Sequence, residues 1–275
     1  LESKSPKSSK TNELNDVYEK SEFSLIPQSK ESHKIRYVDS IKEALYQSMQ
    51  EDKKIIMMGQ DIAEYGGVFK VSEDFYKKFG NERIKNTPII ESGILGASLG
   101  LALEGFKPII EMQFSDFISC GFNQIINNLA KTHYRWGAGV NVTVRMPTGG
   151  GVNAGPFHSQ NLESIFTHIP GLKVVYPSNA FDAKGLLVSS INDPNPVLFF
   201  EHKLLYRTQK SDVPKEMYNL EIGKGKIVNS GSDITIISYG LGVIWVKDII
   251  DELIKENISV ELIDLRSLIP WDKKM

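Results

Sequence analysis

The stretch TPIIESGILGASLGLALEG, from Thr87 to Gly105, decides how the rest of the chain is interpreted. It opens with an apolar run, Pro88–Ile90, which we expect to be a strand, and continues into a helix with almost no polar side chains. A helix that is apolar all round is buried in a folded protein. One carboxylate, Glu91, stands between the two, where an ionisable group is costly unless it has a partner. The stretch therefore predicts a carboxylate with a specific task at the mouth of a buried helix.

The same helix contains three glycines, Gly93, Gly96 and Gly100. Each lowers helix stability by about 1 kcal/mol relative to Ala, so we expect the glycines to allow the close approach of another backbone or a ligand. Their spacing is not the Gly-x-Gly-x-x-Gly of a dinucleotide loop, which argues against a nicotinamide site. The alternative for Glu91 is purely structural, because a helix dipole favours a carboxylate at its N-terminus by about 0.3–1 kcal/mol.

The composition is that of an ordinary globular protein. A formal net charge of -2 over 275 residues gives no reason to expect nucleic acid or an anionic membrane as a partner. The single cysteine, Cys120, excludes an internal disulfide and fits a reducing compartment. We expect Cys120 to lie in the core, on an apolar helix face. No apolar run approaches the roughly 20 residues that a membrane-spanning helix needs.

Short apolar runs alternate with helical patterns through most of the chain. We expect strands at Ile55–Met58, Pro108–Met112, Val140–Met146, Leu172–Tyr176 and Val197–Phe200, a long helix from Asp116 to Trp136, and a further βαβ unit from Ile234 to Asp264. Strands and helices in alternation predict an α/β fold with a doubly wound parallel sheet.

The chain divides into four parts by composition and pattern. Residues 1–35 are rich in Ser, Lys, Glu and Asn, and we expect a disordered tail or an interdomain linker there. Residues 36–205 form the first α/β domain and residues 206–219 a connector. Residues 220–275 begin a second α/β domain, which we expect to be truncated because the sequence stops soon after a strand.

A second candidate site is the glycine-rich loop from Pro147 to His158, PTGGGVNAGPFH, which ends on a histidine just before a predicted helix. The loop lacks the Lys-Ser/Thr pair of a Walker-type phosphate loop. A histidine in this position can transfer protons near neutral pH, although an ordinary surface histidine is the alternative. Ser159 lies beside His158, but no Gly-x-Ser-x-Gly elbow indicates a serine hydrolase.

With Glu91, the glycine-rich loop and His158 in place, residues 37–275 resemble the β subunit, or β half, of the E1 component of 2-oxo acid dehydrogenase complexes. The segments that carry the resemblance are Gly59–Phe69 (GQDIAEYGGVF), Asn86–Gly93 (NTPIIESG), Phe114–Ala130 (FSDFISCGFNQIINNLA), Gly155–Gln160 (GPFHSQ), His168–Pro177 (HIPGLKVVYP), Asp193–Glu201 (DPNPVLFFE) and Asp264–Trp271 (DLRSLIPW). In some similar bacterial proteins the α and β halves are fused, and residues 1–34 then resemble the linker between them.

The resemblance implies a thiamine diphosphate enzyme with a transketolase-like fold. In this family the β half supplies the pyrimidine-binding domain, and the α half binds the diphosphate through Mg²⁺. Glu91 matches the glutamate that hydrogen-bonds N1′ of the aminopyrimidine. Phe117 matches the aromatic residue that packs on that ring, and Ile89 lines the same pocket. His158 matches the histidine that handles protons when the acyl group passes to a lipoyl group.

The resemblance also implies a monovalent-cation site, for K⁺, which occurs in some members of the family. The Asp-x-Asn pair of that site corresponds to Asp193 and Asn195, with Thr143 and Ser190 nearby.

The implied activity is oxidative decarboxylation of a 2-oxo acid with reductive acylation of the lipoyl group of the E2 partner. A branched-chain 2-oxo acid is favoured and pyruvate stays open. The alternatives are an acetoin-cleaving E1, another transketolase-type enzyme, or a non-catalytic assembly subunit. The implied partners are the α half, the E2 lipoyl domain and a second β copy, and the isolated chain is expected to be inactive. The implied location is the cytoplasm of a bacterium or the mitochondrial matrix of a eukaryote.

Overall fold

The computed structural model describes residues 16–275 of the chain. The strands in chain order are β1 (Ser32–Arg36), β2 (Ile55–Gly59), β3 (Ile84–Asn86), β4 (Lys107–Glu111), β5 (Thr143–Thr148), β6 (Lys173–Val175), β7 (Val197–His202), β8 (Lys210–Pro214), β9 (Lys226–Asn229), β10 (Ile234–Ser238), β11 (Val260–Asp264) and β12 (Ser267–Ile269). The α-helices are α1 (Tyr37–Glu51), α2 (Phe75–Phe79), α3 (Glu91–Leu103), α4 (Ala130–Trp136), α5 (Glu163–Phe166), α6 (Ala180–Asn192), α7 (Leu205–Thr208) and α8 (Leu241–Lys255).

Seven strands form the main sheet, in the order β12-β6-β7-β5-β4-β2-β3. The pairings among β2, β3, β4, β5, β6 and β7 are all parallel, and β12 joins β6 in the antiparallel direction. One apolar cluster packs α1 and α6 on one face of the sheet, and a second cluster packs α3 and α4 on the other. A parallel sheet covered on both faces is the doubly wound α/β arrangement that the sequence predicts, and the fold class is confirmed.

A smaller unit follows at the C-terminal end, with its own sheet in the order β10-β11-β9 and with α8 packed against it. Polar contacts tie this unit to the main domain. The Arg266 guanidinium donates to Asp182 at 2.6 Å, and the Tyr239 hydroxyl donates to Glu163 at 3.2 Å. The units therefore contact each other through partly buried side chains as well as through β12.

The prediction of one continuous helix from Asp116 to Trp136 is wrong. A 3-10 helix covers Ser115–Gly121, a π-helix covers Gln124–Leu129, and only α4 is regular. A 3-10 helix repeats every three residues, so Ser115, Ile118 and Gly121 are buried together. This spacing leaves Cys120 exposed, and its predicted place in the core is wrong.

The chain ahead of Glu91 also differs from expectation. Strand β3 ends at Asn86, and the run Pro88–Ile90 forms no strand, which agrees with the missing backbone N–H of proline. Helix α3 buries Ile94 and Leu95 but leaves Gly93 and other small residues of the opposite face exposed. This apolar helix is thus covered on one side only within the single chain.

A strand lies ahead of Tyr37, among the residues predicted as a tail or interdomain linker. Strand β1 pairs antiparallel with β8, which lies inside the predicted connector. Further upstream, Asn219 accepts a hydrogen bond from Ile26 N and donates one to Ser24 O, both at 2.7 Å. Residues 16–35 thus lie along the main domain, and residues 1–15 of the predicted tail fall outside the described part. The other domain boundaries stay predictions.

Within residues 16–275, the helices are all too short or too polar to span a membrane.

A buried cluster of charges joins three adjacent strands of the main sheet. Arg145 on β5 donates to Glu111 on β4 at 2.7 Å, and to both carboxylate oxygens of Glu201 on β7 at 2.8 Å. The Tyr206 hydroxyl donates to the same Glu201 at 2.6 Å. Burial raises the pKa of Glu111, and the charge of Arg145 opposes that rise. The guanidinium therefore balances the charges of two buried carboxylates on the neighbouring strands.

Replacement of Arg145 by Leu should be strongly destabilising, because it leaves two carboxylates buried without a counter-ion. We expect the free energy of unfolding to fall by about 3–5 kcal/mol. Urea unfolding measures this change. Arg135→Leu, at an exposed position, is the matched control and should stay within about 0.5 kcal/mol of the parent chain. Equal effects of the two substitutions would contradict the proposed importance of the cluster.

A second stability prediction concerns Asp264, which accepts a hydrogen bond from Ser178. Burial raises the pKa of Asp264 to about 6, and the Ser178 hydroxyl opposes that rise. The folded chain thus holds this proton more tightly than the unfolded chain does, so the contribution of Asp264 to stability falls as pH rises from about 4 to about 6, by about 2–3 kcal/mol. Asp264→Asn should remove this part of the pH dependence in urea unfolding. A difference between parent and variant that stays constant across this range would refute the assignment.

Candidate active site

Glu91 is the first residue of α3 and is 8% exposed. Its Oε1 atom accepts a hydrogen bond of 3.1 Å from Nε2 of Gln60, the residue that directly follows β2. Among the described residues Oε2 has no hydrogen-bond partner. The carboxylate is therefore held by a neutral amide, and one of its oxygens is left for another group.

Two backbone features bring Gln60 to Glu91. A side chain at Gly59 would place its Cβ atom 2.8 Å from the carbonyl oxygen of Glu111, so β2 and β4 approach each other more closely than other residues allow. The carbonyl oxygen of Gly59 accepts a hydrogen bond of 2.9 Å from Thr87 N, which turns the chain after β3 towards α3. The site thus lies at the carboxyl ends of parallel strands, where α/β folds bind their ligands.

An aromatic cluster surrounds His158, which is half-buried in a 3-10 turn, Pro156–His158. The ring centroids of His158 and Phe114 are 4.6 Å apart, and those of His158 and Phe117 are 5.4 Å apart, both edge to face. The structure therefore brings together two of the predicted site residues, His158 and Phe117. Phe114 was given no role from the sequence.

The loop that carries His158 is closed at its base. Gln160 O accepts hydrogen bonds from Gly149 N and from the Thr148 hydroxyl, both at 3.0 Å, and Gln160 N donates to Asp116 at 3.0 Å. Gly149 has φ of +83°, and a Cβ atom there would lie 2.1 Å from Nε2 of His202, so only glycine fits. Burial beside the charge of Lys203 lowers the pKa of His202 to about 4. His202 thus packs as a neutral ring beneath the loop.

The other predicted pocket residue, Ile89, is 83% exposed and touches no core cluster. It lies two residues before Glu91, ahead of the first turn of α3. Its role as a pocket residue stays a prediction, as do the roles of Glu91, Phe117 and His158.

The four residues predicted for a monovalent cation lie together at the amino ends of β5 and β7, at the edge of the sheet opposite Glu91. The Thr143 hydroxyl donates to Ser190 O at 3.0 Å, and Asn195 donates to Asp193 Oδ1 at 3.0 Å. The other oxygen of Asp193 accepts from the Lys173 ammonium at 2.5 Å. The cation site stays a prediction. Across residues 16–275, no three His, Cys, Asp or Glu side chains are grouped closely enough to hold a metal ion.

Sequence comparison identifies the two units. Residues 33–209 match the family "Transketolase, pyrimidine binding domain", and residues 223–275 match "Transketolase, C-terminal domain". A similar solved structure is "Split gene transketolase, inactive beta4 tetramer", with a TM-score of 0.70 and 24% identity over 86% of this chain and 73% of that one. At this identity the solved structure supports the fold alone.

Curated relatives are more similar in sequence. The 2-oxoisovalerate dehydrogenase subunit beta of Bacillus subtilis is 45% identical over 242 residues, which span 86% of this chain and 73% of the relative. The pyruvate dehydrogenase E1 component subunit beta of Staphylococcus epidermidis is 44% identical over 237 residues, 86% of this chain and 73% of the relative. The subunit of that name in Acholeplasma laidlawii is 43% identical over 242 residues, 87% and 74% of the two chains. The chain therefore belongs to the family of β subunits of 2-oxo acid dehydrogenase E1 components.

This family implies dependence on thiamine diphosphate, and the residues present fit the aromatic end of that cofactor. Glu91 offers one free acceptor oxygen, and Phe117 offers a half-buried aromatic ring at the same edge of the sheet. A flat ring with a protonated nitrogen matches an acceptor and an aromatic surface in a site shielded from water.

Proposed function

We propose that this chain, as the β part of an E1 component, supplies the aminopyrimidine end of a thiamine diphosphate site. The assembled enzyme oxidatively decarboxylates a 2-oxo acid and transfers the acyl group to the lipoyl group of E2. The observation that carries the proposal is the buried Glu91 carboxylate, which Gln60 holds at one oxygen while the other has no partner in the described chain.

Glu91 would hold the aminopyrimidine ring through its N1′ atom, with Phe117 against the ring. Bound thiamine diphosphate supplies the nucleophilic carbon that makes loss of CO₂ from a 2-oxo acid possible. Gln60 prevents the carboxylate from rotating, so its free oxygen stays aimed in one direction. A fixed charge of this kind is more effective in a water-excluded site than in solvent.

His158 would move a proton at its imidazole ring during acyl transfer to the lipoyl group. Imidazole can donate and accept protons near neutral pH, and the edge-to-face contacts with Phe114 and Phe117 limit how far this ring can turn. Its loop lies at the rim of the site, where Phe157 is 73% exposed. That position supports access by a large acyl acceptor.

We propose that the α half covers the open side of α3 and completes the site, with Mg²⁺ and the diphosphate held by residues of that half. The exposed residues that support this cover are Ile89, Ile90, Gly93, Ala97, Gly100 and Leu103. A continuous exposed apolar surface of this kind is typical of an interaction site. A second β copy, the lipoyl domain of E2 and K⁺ at the Asp193 site belong to the same proposal. The bacterial relatives support a cytoplasmic location.

Replacement of Glu91 by Gln tests the proposal directly. In the enzyme assembled with its α half, we expect the decarboxylation rate to fall about 100-fold or more, because Gln presents no negative charge to the ring. Glu104→Gln, at an exposed position at the end of α3, is the matched control and should keep the parent rate. A Glu91→Gln enzyme within threefold of the parent would favour a non-catalytic assembly subunit.

The substrate is a 2-oxo acid, and we propose a branched-chain one, because the B. subtilis relative with 45% identity is named for 2-oxoisovalerate. Pyruvate is the second candidate, supported by relatives with 44% and 43% identity. Comparison of kcat/KM for 2-oxoisovalerate, pyruvate and acetoin separates them. We expect 2-oxoisovalerate to be preferred, and a preference for acetoin would overturn the assignment.

A further inference from the structure

Two buried side chains of opposite charge lie beneath the loop that carries His158, and neither has a described function. Lys203, which directly follows β7, is 3% exposed, and Asp116 in the 3-10 helix is 6% exposed. Within the described residues, Lys203 Nζ has no hydrogen-bond partner, and neither has Asp116 Oδ2. Isolated charges are costly to bury, so an arrangement with two of them needs an explanation.

Lys203 and Asp116 carry opposite charges and can act as counter-ions to each other. Burial lowers the pKa of Lys203 to about 8, and Asp116 is the group whose charge opposes that change. The two side chains form no ion pair within 4.0 Å in the described structure. A polar contact across such a gap is commonly bridged by an ordered water molecule. The geometry thus pairs the two charges electrostatically without direct contact.

Both charges are connected to His158. The Lys203 ammonium lies 5.4 Å from the ring centroid of Phe114, and the Phe114 ring contacts the His158 ring. The other oxygen of Asp116 accepts the hydrogen bond from Gln160 N, two residues after His158. A shift of either charge would therefore move the aromatic support of the imidazole or the base of its loop.

We propose that Asp116 and Lys203 form a buried pair of opposite charges that positions the loop carrying His158. The two are positioning residues for proton transfer at that imidazole, and this role rests on the function proposed for His158. Loss of one charge leaves the other buried and unbalanced, so the loop must shift to bring in water. Loss of both removes the imbalance, and Phe114 can then pack against a neutral layer.

A double-mutant cycle in the assembled E1 tests the pair with Lys203→Met, Asp116→Asn and the combination of both. Each single substitution should lower kcat about tenfold and leave KM for the 2-oxo acid within about twofold, while the combination recovers to within about threefold of the parent enzyme. Lys203→Arg keeps the charge and should retain most activity. Lys78→Met, at an exposed position in α2, is the matched control.

A second readout needs no activity. Mass spectrometry can follow the rate at which diethyl pyrocarbonate modifies His158 in the cofactor-free assembly. This rate should rise at least about threefold in each single variant and return to the parent's rate in the double variant. Failure of the parent enzyme to decarboxylate any 2-oxo acid would sink the proposed function, while this cycle still decides the pair. The pairing would be overturned if the single variants are modified at the parent's rate. It would also be overturned if the increase in rate in the double variant equals the product of the increases in the two single variants. A rise confined to KM would instead assign Lys203 to substrate binding and would also overturn it.

Discussion

The Arg145 guanidinium, held between Glu111 and Glu201, is the interaction on which the rest of the site depends. It joins β4, β5 and β7, the three strands in the middle of the main sheet. Each of these strands leads directly into a part of the site: the 3-10 helix with Phe117, the loop with His158, and Lys203. A buried ion cluster adds little net stability by itself, but loss of one member is costly, so the strand ends stay in one arrangement.

The strand ends position only part of a site. The chain holds a carboxylate with one free oxygen, an aromatic surface and a histidine, while one side of α3 is open and apolar. Glycines at positions 93 and 100 keep that side flat, and a Cβ atom at Gly100 would meet no other atom within 4 Å. In a single chain this space is unused, which is the pattern expected of a surface that another subunit covers.

The parallel sheet could be predicted from the sequence alone, because short apolar runs such as Ile55–Met58, in alternation with helical patterns, are typical of buried parallel strands. The sequence also singled out Glu91, at the start of an apolar helix, and His158, at the end of a glycine-rich loop. Gln60 and Lys203 could not be identified from the sequence, because their roles depend on contacts with residues far along the chain. Gln60, for example, is 31 residues from Glu91. The end of the 3-10 helix at Gly121 could not be predicted either. The apolar residues from Asp116 to Trp136 fit an α-helical period on average, although a 3-10 helix and a π-helix occupy most of that range.

The role we propose for Glu91 is to face the cofactor from one half of a shared site. The most direct measurement is an experimental structure of the chain assembled with its α half, Mg²⁺ and thiamine diphosphate. We predict N1′ of the aminopyrimidine within hydrogen-bond distance of the Glu91 carboxylate, with Gln60 on the other oxygen and Phe117 against the ring. A bound cofactor whose ring lies away from Glu91, with that carboxylate paired to a cationic side chain instead, would contradict the account.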